Sequence, residues 1–403
     1  MLRGDFLVFA AGALSSGVGV WMLRLGQTLV LLQVPGASGW TLGLLAALQM
    51  APVILLSPAI GALADRVPRV RLLLAGQILM TAVAAVEGAR VLLGSYVAWQ
   101  SLALAAALGL AATFDHPVRL STVADILPPP QLSRGVGAVV VTTQLGRVIG
   151  PALCAALTAA FGLASVFVAC VALFGVFTAV LVTPGVRGAR RSGPRGGGLR
   201  RALRSIRDDR RLRAAFWFVG FGGVVGPNLT TLSALMVDDV FGGGPPEVSL
   251  AALALAVGAV GGALVTTLRR RVPSSGSLAL ATLACGATAG SSGLAPNYAS
   301  YLAVLVLSGA AAIFMAAQGN ALVQVVVPDD VRGMVSALFT TTLIIGVPLG
   351  SPLLGWGADV LGPRWSAGLA GVVVVGAACL VWGGTRDTAT ASEGPTRASG
   401  AWS

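Results

Sequence analysis

The chain has 403 residues, 56% of them hydrophobic and only 10% charged, with a formal net charge of +12. Soluble domains carry about 25% charged residues, so this composition argues against a soluble globular fold. A single histidine, and four cysteines (Cys154, Cys170, Cys285, Cys379) that all fall inside apolar runs, leave no metal-ligand spacing and no disulfide framework.

Apolar runs long enough to cross about 30 Å of hydrocarbon recur from end to end. They predict spans at 6–33, 40–63, 71–93, 98–127, 132–160 and 164–183, then at 212–236, 248–268, 276–294, 298–327, 333–360 and 365–383. The first run lacks a cleavage-site pattern and reads as a retained span. The fold class expected is all-α: a polytopic membrane protein of twelve transmembrane helices in two pseudo-symmetric six-helix bundles.

All basic side chains are arginine, and their placement sets an expected orientation. With the N-terminus inside, the even loops and the termini hold 22 arginines, and the odd loops hold only Arg90 and Arg364. Both termini are therefore expected in the cytoplasm, and the all-Arg usage suggests a bacterial source and a cytoplasmic membrane. The net charge is then mainly a topology signal. The run Arg187–Arg213 has no interleaved aromatics, which favours contact with anionic lipid headgroups over nucleic acid. The expected organisation is an N-terminal bundle at 1–184, a basic cytoplasmic linker at 185–211, a C-terminal bundle at 212–384 and a disordered cytoplasmic tail at 385–403. Within the linker, 199–213 has the pattern of an amphipathic surface helix. The halves are weakly self-similar. Leu127-Pro128 followed by Arg134-Gly135 returns as Val327-Pro328 followed by Arg332-Gly333, and Gly61-Ala-Leu returns as Gly262-Ala-Leu.

The turn after the second span reads Gly61-Ala-Leu-Ala-Asp65-Arg66-Val-Pro-Arg69-Val-Arg71. A carboxylate at Asp65 can face the positive N-terminal end of another helix, and Asp125 near the end of the fourth span can pair with Arg69. The pattern G-x-L-x-D-R-x-x-R resembles the loop between helices 2 and 3 of the major facilitator superfamily of secondary transporters. That resemblance implies a conformational latch of Gly61, Asp65, Arg66, Arg69, Arg71 and Asp125, with Asp65 reaching the start of the eleventh span near Arg332–Met334. Positive-inside anchoring with incidental acids is the plainer alternative. The second half has Thr266 and Thr267 where the acid and base would stand, so the latch is expected to be one-sided.

The fifth span reads Gly137-x8-Gly146-x3-Gly150-Pro151-x2-Cys154-Ala155. It resembles the antiporter motif of drug exporters, with Cys154-Ala155 replacing the final glycine pair. Small residues permit close helix approach and Pro151 removes a backbone donor, so Gly137, Gly146, Gly150 and Pro151 are expected to form a hinge. The fourth span carries Phe114-Asp115-His116-Pro117-Val118-Arg119. With Ser16–Gln27 and Gln144–Pro151 it is similar to the siderophore and macrolide exporters of that superfamily, the enterobactin-exporter-like branch.

Ionisable groups inside a membrane are costly and default to functional roles. Asp115 and Arg119 are four apart and can pair on one face; His116 titrates near neutral pH in the absence of perturbation. Asp115 is thus either a proton carrier, with or without His116, or half of a neutralised structural pair. The coupling or cavity set is Arg24, Gln27, Asp115, His116, Arg119, Gln144, Arg147, Asn228, Gln318 and Asn320, each open to a cavity role or an interhelical hydrogen bond. Glu87 and Arg90 are expected as an interfacial pair, and Trp217, Phe218 and Phe221 as an interface belt. No Walker-type phosphate loop and no catalytic constellation is present, so neither an ATP-driven pump within this chain nor an enzyme is expected. The resemblance implies export of amphipathic small molecules by alternating access, with a proton gradient as driver, no cofactor and no metal, and protons and membrane lipids as partners of a monomer. An importer or facilitator of a small metabolite and a lysolipid or lipid flippase are the rival readings.

Overall fold

The computed structural model describes residues 4–64, 66–183, 199–268, 274–328 and 331–392. Among these residues twelve helices are long and apolar enough to cross a membrane, and regular structure is otherwise confined to short helical turns. Such a chain has to satisfy its backbone internally where water is absent, which helices do segment by segment.

The first half comprises α1 (Gly4–Leu32), α2 (Gly39–Ala64), α3 (Arg69–Leu92), α4 (Ala98–Ile126), α5 (Leu132–Phe161) and α6 (Leu163–Leu181). A short, strongly amphipathic helix, α7 (Leu199–Asp208), lies between the halves. The second half comprises α8 (Arg210–Val225), α9 (Leu229–Leu235), α10 (Pro245–Leu268), α11 (Ser275–Ser291), α12 (Tyr298–Val326), α13 (Arg332–Leu361) and α14 (Pro363–Ser392). Asp209 caps α8, its carboxylate accepting from the backbone N–H groups of Arg211 and Leu212. The expected tail begins inside α14, which runs on to Ser392; residues 393–403 lie outside the described set.

The seventh span departs from the expected single helix at 212–236. It runs Arg210–Val240 but is broken after α8 at Gly226-Pro227 and ends in a π turn, Met236–Val240. Pro227 has no N–H to continue the ladder. Asn228 repairs the break: its amide donates to the carbonyls of Val224 (2.6 Å) and Gly346 (2.9 Å), and its Oδ1 accepts from Ser351.

Pseudo-symmetry extends to close helix contacts made at glycine. Gly146 and Gly150 of α5 lie against Gly17, Val18 and Trp21 of α1; Gly346 and Gly350 of α13 lie against Gly223, Val224 and Asn228 in the seventh span. A Cβ on either pair would strike the facing helix.

Among the described residues the two halves pack together at one end. One hydrophobic core spans them both there, with Leu42, Leu45 and Ala105 packed into the same cluster as Met236, Val248 and Tyr301. At the opposite end, where the arginine-rich loops lie, the core divides. Phe6, Phe9, Leu73 and Phe177 form one cluster in the first half, and Leu212, Phe218, Val335 and Phe339 form another in the second. The far end is sealed by α2 on α13. Gly39 and Gly43 meet the backbone of Ser351 and Gly355 with no room for a Cβ. Asp359 then accepts from the N–H groups of Gly39 (2.5 Å) and Trp40 (2.8 Å), the first two of α2, where the helix dipole favours an anion. A second seam joins α5 to α10, where the Ser249 hydroxyl donates to Cys154 Sγ across 3.5 Å.

Replacing Asp359 by Asn removes a charged cap worth about 1 kcal/mol, about fivefold in an equilibrium. Distances between spin labels at the exposed Trp40 and Val360 should show a longer population growing by about that factor. Gly43→Leu, which places a side chain into the Ser351 backbone, should abolish the short-distance population altogether.

Candidate functional site

Among the described residues the ion pairs of this apolar frame lie in the first half, at three levels from the basic end to the far end.

At the basic end, α3 begins with Arg69 and α4 ends near Asp125. Arg69 Nη1 donates to both carboxylate oxygens of Asp125 at 2.8 Å and to the Ser121 carbonyl at 2.9 Å. Burial raises the Asp125 pKa above its ordinary value, and the charge and hydrogen bond of Arg69 oppose that rise. Of the other latch residues, Arg66 and Arg71 are exposed, Gly61 lies in the last turns of α2, and Asp65 lies outside the described residues. Thr266 and Thr267 bond back to their own helix. The pair Arg69–Asp125 thus ties α3 to α4 within one half.

Midway, α4 carries Asp115 and Arg119. Arg119 Nη2 donates to Asp115 at 2.5 and 2.6 Å and to Ser16 Oγ at 3.1 Å, and its Nη1 donates to the Ala13 carbonyl at 2.7 Å. Gln77 of α3 donates to Asp115 at 3.1 Å and accepts from Ser16. The guanidinium lies 4.9 Å from the Phe177 ring centre. Asp115 therefore receives three donated hydrogen bonds and a full counter-charge, the geometry of a neutralised pair that fastens α1, α3 and α4 together. The His116 side chain lies outside the described set. Beside this pair, Arg24 of α1 and Arg147 of α5 converge on one ring, their guanidinium carbons 5.4 and 4.9 Å from the centre of Trp21. Gln144, one turn from Arg147, is half-buried.

Toward the far end, Glu87 and Arg90 form the expected pair, and both side chains are buried within the protein. Arg90 donates to Glu87 (2.7 Å), Ser101 (3.2 Å) and the Val97 carbonyl (2.9 Å). Gln27 reaches Glu87 at 3.4 Å and accepts from Gln49 at 2.9 Å. Glu87 and Gln49 are the functional candidates that sequence reasoning missed. An acid and a base three apart at a span end read as an interfacial pair, and only the packing of α1, α2 and α4 around them shows its burial.

The second half contrasts with the first. Asn228 and Gln318 are buried, Asn228 bonded across helices as above and Gln318 accepting from Ser277. Asn320 is exposed. Phe218 is buried in the core, whereas Trp217 is exposed and stacks on Phe221 at 5.8 Å. In the hinge motif, Gly146 and Gly150 touch α1, Gly137 touches nothing within 4 Å of a built Cβ, and Pro151 is accommodated within a continuous α5. Cys154, where the motif departs from glycine, is the residue that meets Ser249 of the other half. Among the described residues no group of three or more His, Cys, Asp or Glu could hold a metal ion.

The sequence model of the Major Facilitator Superfamily matches residues 9–343. No curated protein sequence matches the chain. Solved structures do. A bacterial homolog of the human lysosomal transporter Spinster, in an inward-facing and unoccupied conformation, superposes with a TM-score of 0.74 at 16% identity, covering 97% of this chain and 99% of that one. The nucleoside transporter NupG gives 0.72 at 11% identity, covering 94% and 98%. A POT family transporter in complex with a thioalcohol-conjugated peptide gives 0.74 at 12% identity, covering 95% and 96%. At these identities the likeness is one of fold.

If Asp115 chiefly neutralises Arg119, then Asp115→Asn leaves a buried cation unpaired and should destabilise the protein by about 3–5 kcal/mol, while the double change Asp115→Asn with Arg119→Gln should recover much of that loss. Thermal unfolding of the purified variants reads both. A single mutant as stable as the wild type would refute the neutralised-pair reading.

Proposed function

Because the chain belongs to the Major Facilitator Superfamily, we propose that it is a secondary transporter that exports amphipathic small molecules across a bacterial cytoplasmic membrane by proton antiport, moving a drug, a siderophore or another secondary metabolite. Membership makes it a multi-pass membrane transporter that works by alternating access; direction, cargo and coupling are the proposal. The basic end is taken as cytoplasmic, in line with the arginine bias, with both termini on that side. The parted end then opens inward and the sealed end, at α2 and α13, faces out.

The observation that supports export most directly is the fifth-span motif. Its Gly146 and Gly150 fit backbone-to-backbone on α1, while α5 also meets α10 of the other half through Cys154 and Ser249. One helix therefore links a wall of the first half to the seam that must part for cargo to leave outward. Asp65, Arg66, Arg69, Arg71 and Asp125 would hold the opposite, cytoplasmic gate once the halves rock together, with Asp65 meeting the start of α13 as Asp359 meets the start of α2. Asp115 is the first candidate for the coupling proton and Glu87, linked through Gln27 to Gln49, the second. The protein acts as a monomer without a cofactor, and α7 rests on anionic lipid through its arginines.

Everted vesicles under an imposed pH gradient test this reading. Uptake of a fluorescent amphipathic compound should follow the gradient in the wild type and fall at least tenfold in Asp65→Asn. Loss of gradient-driven accumulation with downhill exchange of the compound retained, in Asp115→Asn and not in Glu87→Gln, assigns the proton to Asp115, and the reverse assigns it to Glu87. Gradient-independent uptake, or accumulation in right-side-out vesicles only, overturns proton-driven export in favour of an importer or a lipid flippase.

A further inference from the structure

The deep charges of this protein do not balance. Between the gates, the first half carries Arg24, Arg119 and Arg147 against a single acid, Asp115, which Arg119 takes up; Glu87 and Arg90 cancel each other. Two guanidiniums remain. Among the described residues neither Arg24 nor Arg147 has an ion-pair partner, and Arg24 Nε is buried with no hydrogen-bond partner at all. Both lie against the ring of Trp21, which is itself only partly buried. The described acids of the second half lie at its two ends, Asp209 in the cap of α8 at the basic end and Asp238, Asp239, Glu247 and Asp359 at the far end, and none forms an ion pair with Arg24 or Arg147.

Two like charges gathered on one aromatic ring are costly in a hydrocarbon slab unless something answers them. An aromatic face supplies part of that answer, a cation–π contact. It does not supply the oxygen acceptors that guanidinium forks seek, for which carboxylate and phosphate are the matching partners. Arg24 and Arg147 are partly exposed and come from different helices, α1 and α5; charged side chains within a membrane span face the bundle interior or a water-filled cavity in preference to lipid. On α1 the residues that flank Trp21 and Arg24 are apolar, with Met22, Leu23 and Leu25 in the buried core.

We infer that Arg24 and Arg147, set on Trp21, form a binding site for the oxyanion head, carboxylate or phosphate, of a single-chain amphiphile whose apolar body lies along the neutral wall of the second half. This assignment rests on the transporter reading above and narrows its cargo from amphipathic compounds in general to anionic ones. It also gives the unequal halves distinct tasks, charge recognition in the first and apolar contact in the second.

Binding to the purified full chain in a neutral maltoside detergent tests the site apart from transport. Octyl phosphate and octanoate should bind saturably. Octylammonium and octanol should bind at least tenfold more weakly, and so should inorganic phosphate, which has the head without the chain. Arg24→Gln and Arg147→Gln should each weaken octyl phosphate at least tenfold, and Arg24→Lys should restore part of the loss. Should a Gln variant fail to fold, the head-group series on the wild type still decides. Equal affinity for octylammonium, or unchanged octyl phosphate binding in both folded Gln variants, overturns the site. In nanodiscs, competition by a two-chain phosphatidate would draw the head from bilayer lipid and overturn the single-chain restriction; no competition supports a soluble amphiphile. Anion binding without gradient-driven uptake upholds the site and overturns export. Uptake of cationic compounds that survives both Gln changes upholds export and overturns the site.

Discussion

The arrangement of this protein depends on how closely α2 can approach α13. In lipid there is no hydrophobic force to push two helices together, so association rests on packing and on polar contacts. Gly39 and Gly43 on one side, with Ser351 and Gly355 on the other, let the two backbones touch where any larger residue would hold them apart. Asp359 then completes the contact by accepting the two leading N–H groups of α2. The single core at that end and the divided core at the other follow from this closure.

Within each half the same device recurs. Gly146 and Gly150 join α5 to α1, and 200 positions later Gly346 and Gly350 join α13 to the seventh span. α5 and α13 each pack tightly inside their own half and also touch the other half. They are the helices through which motion in one half is felt by the other, and both contain proline near these glycines, Pro151 in α5, Pro348 and Pro352 in α13.

Much of this was legible in the sequence. Twelve spans, two halves and the pairing of Arg69 with Asp125 and of Asp115 with Arg119 follow from hydropathy, charge and spacing, because a membrane punishes any misplaced polar group. The far gate was not foreseen, although its signal was present: Gly355-x3-Asp359 near the end of α13 repeats the Gly61-x3-Asp65 spacing at the end of the second span. Nor was the break at Pro227, since proline inside a span is compatible with either a kink or an interruption, and what Asn228 does there depends on the distant carbonyl of Gly346. The depth to which the Glu87–Arg90 pair is buried was not legible for a similar reason. Spacing along one helix says nothing of which neighbours, here Gln27 and Ser101, close over the pair.

The unequal sharing of charge between the halves has an electrical side. Two positive charges without an ion-pair partner among the described residues, Arg24 and Arg147, are fixed to one half. When the empty protein reorients, they travel with that half or the field reshapes around them. One elementary charge crossing the full membrane potential involves about 2.3 kcal/mol per 100 mV. For two charges moving through about a quarter of that field, the work is therefore on the order of 1 kcal/mol. The membrane voltage itself then selects which side the empty protein faces. An anion seated on the pair cancels much of the displaced charge, so the loaded protein turns with far less regard to voltage than the empty one.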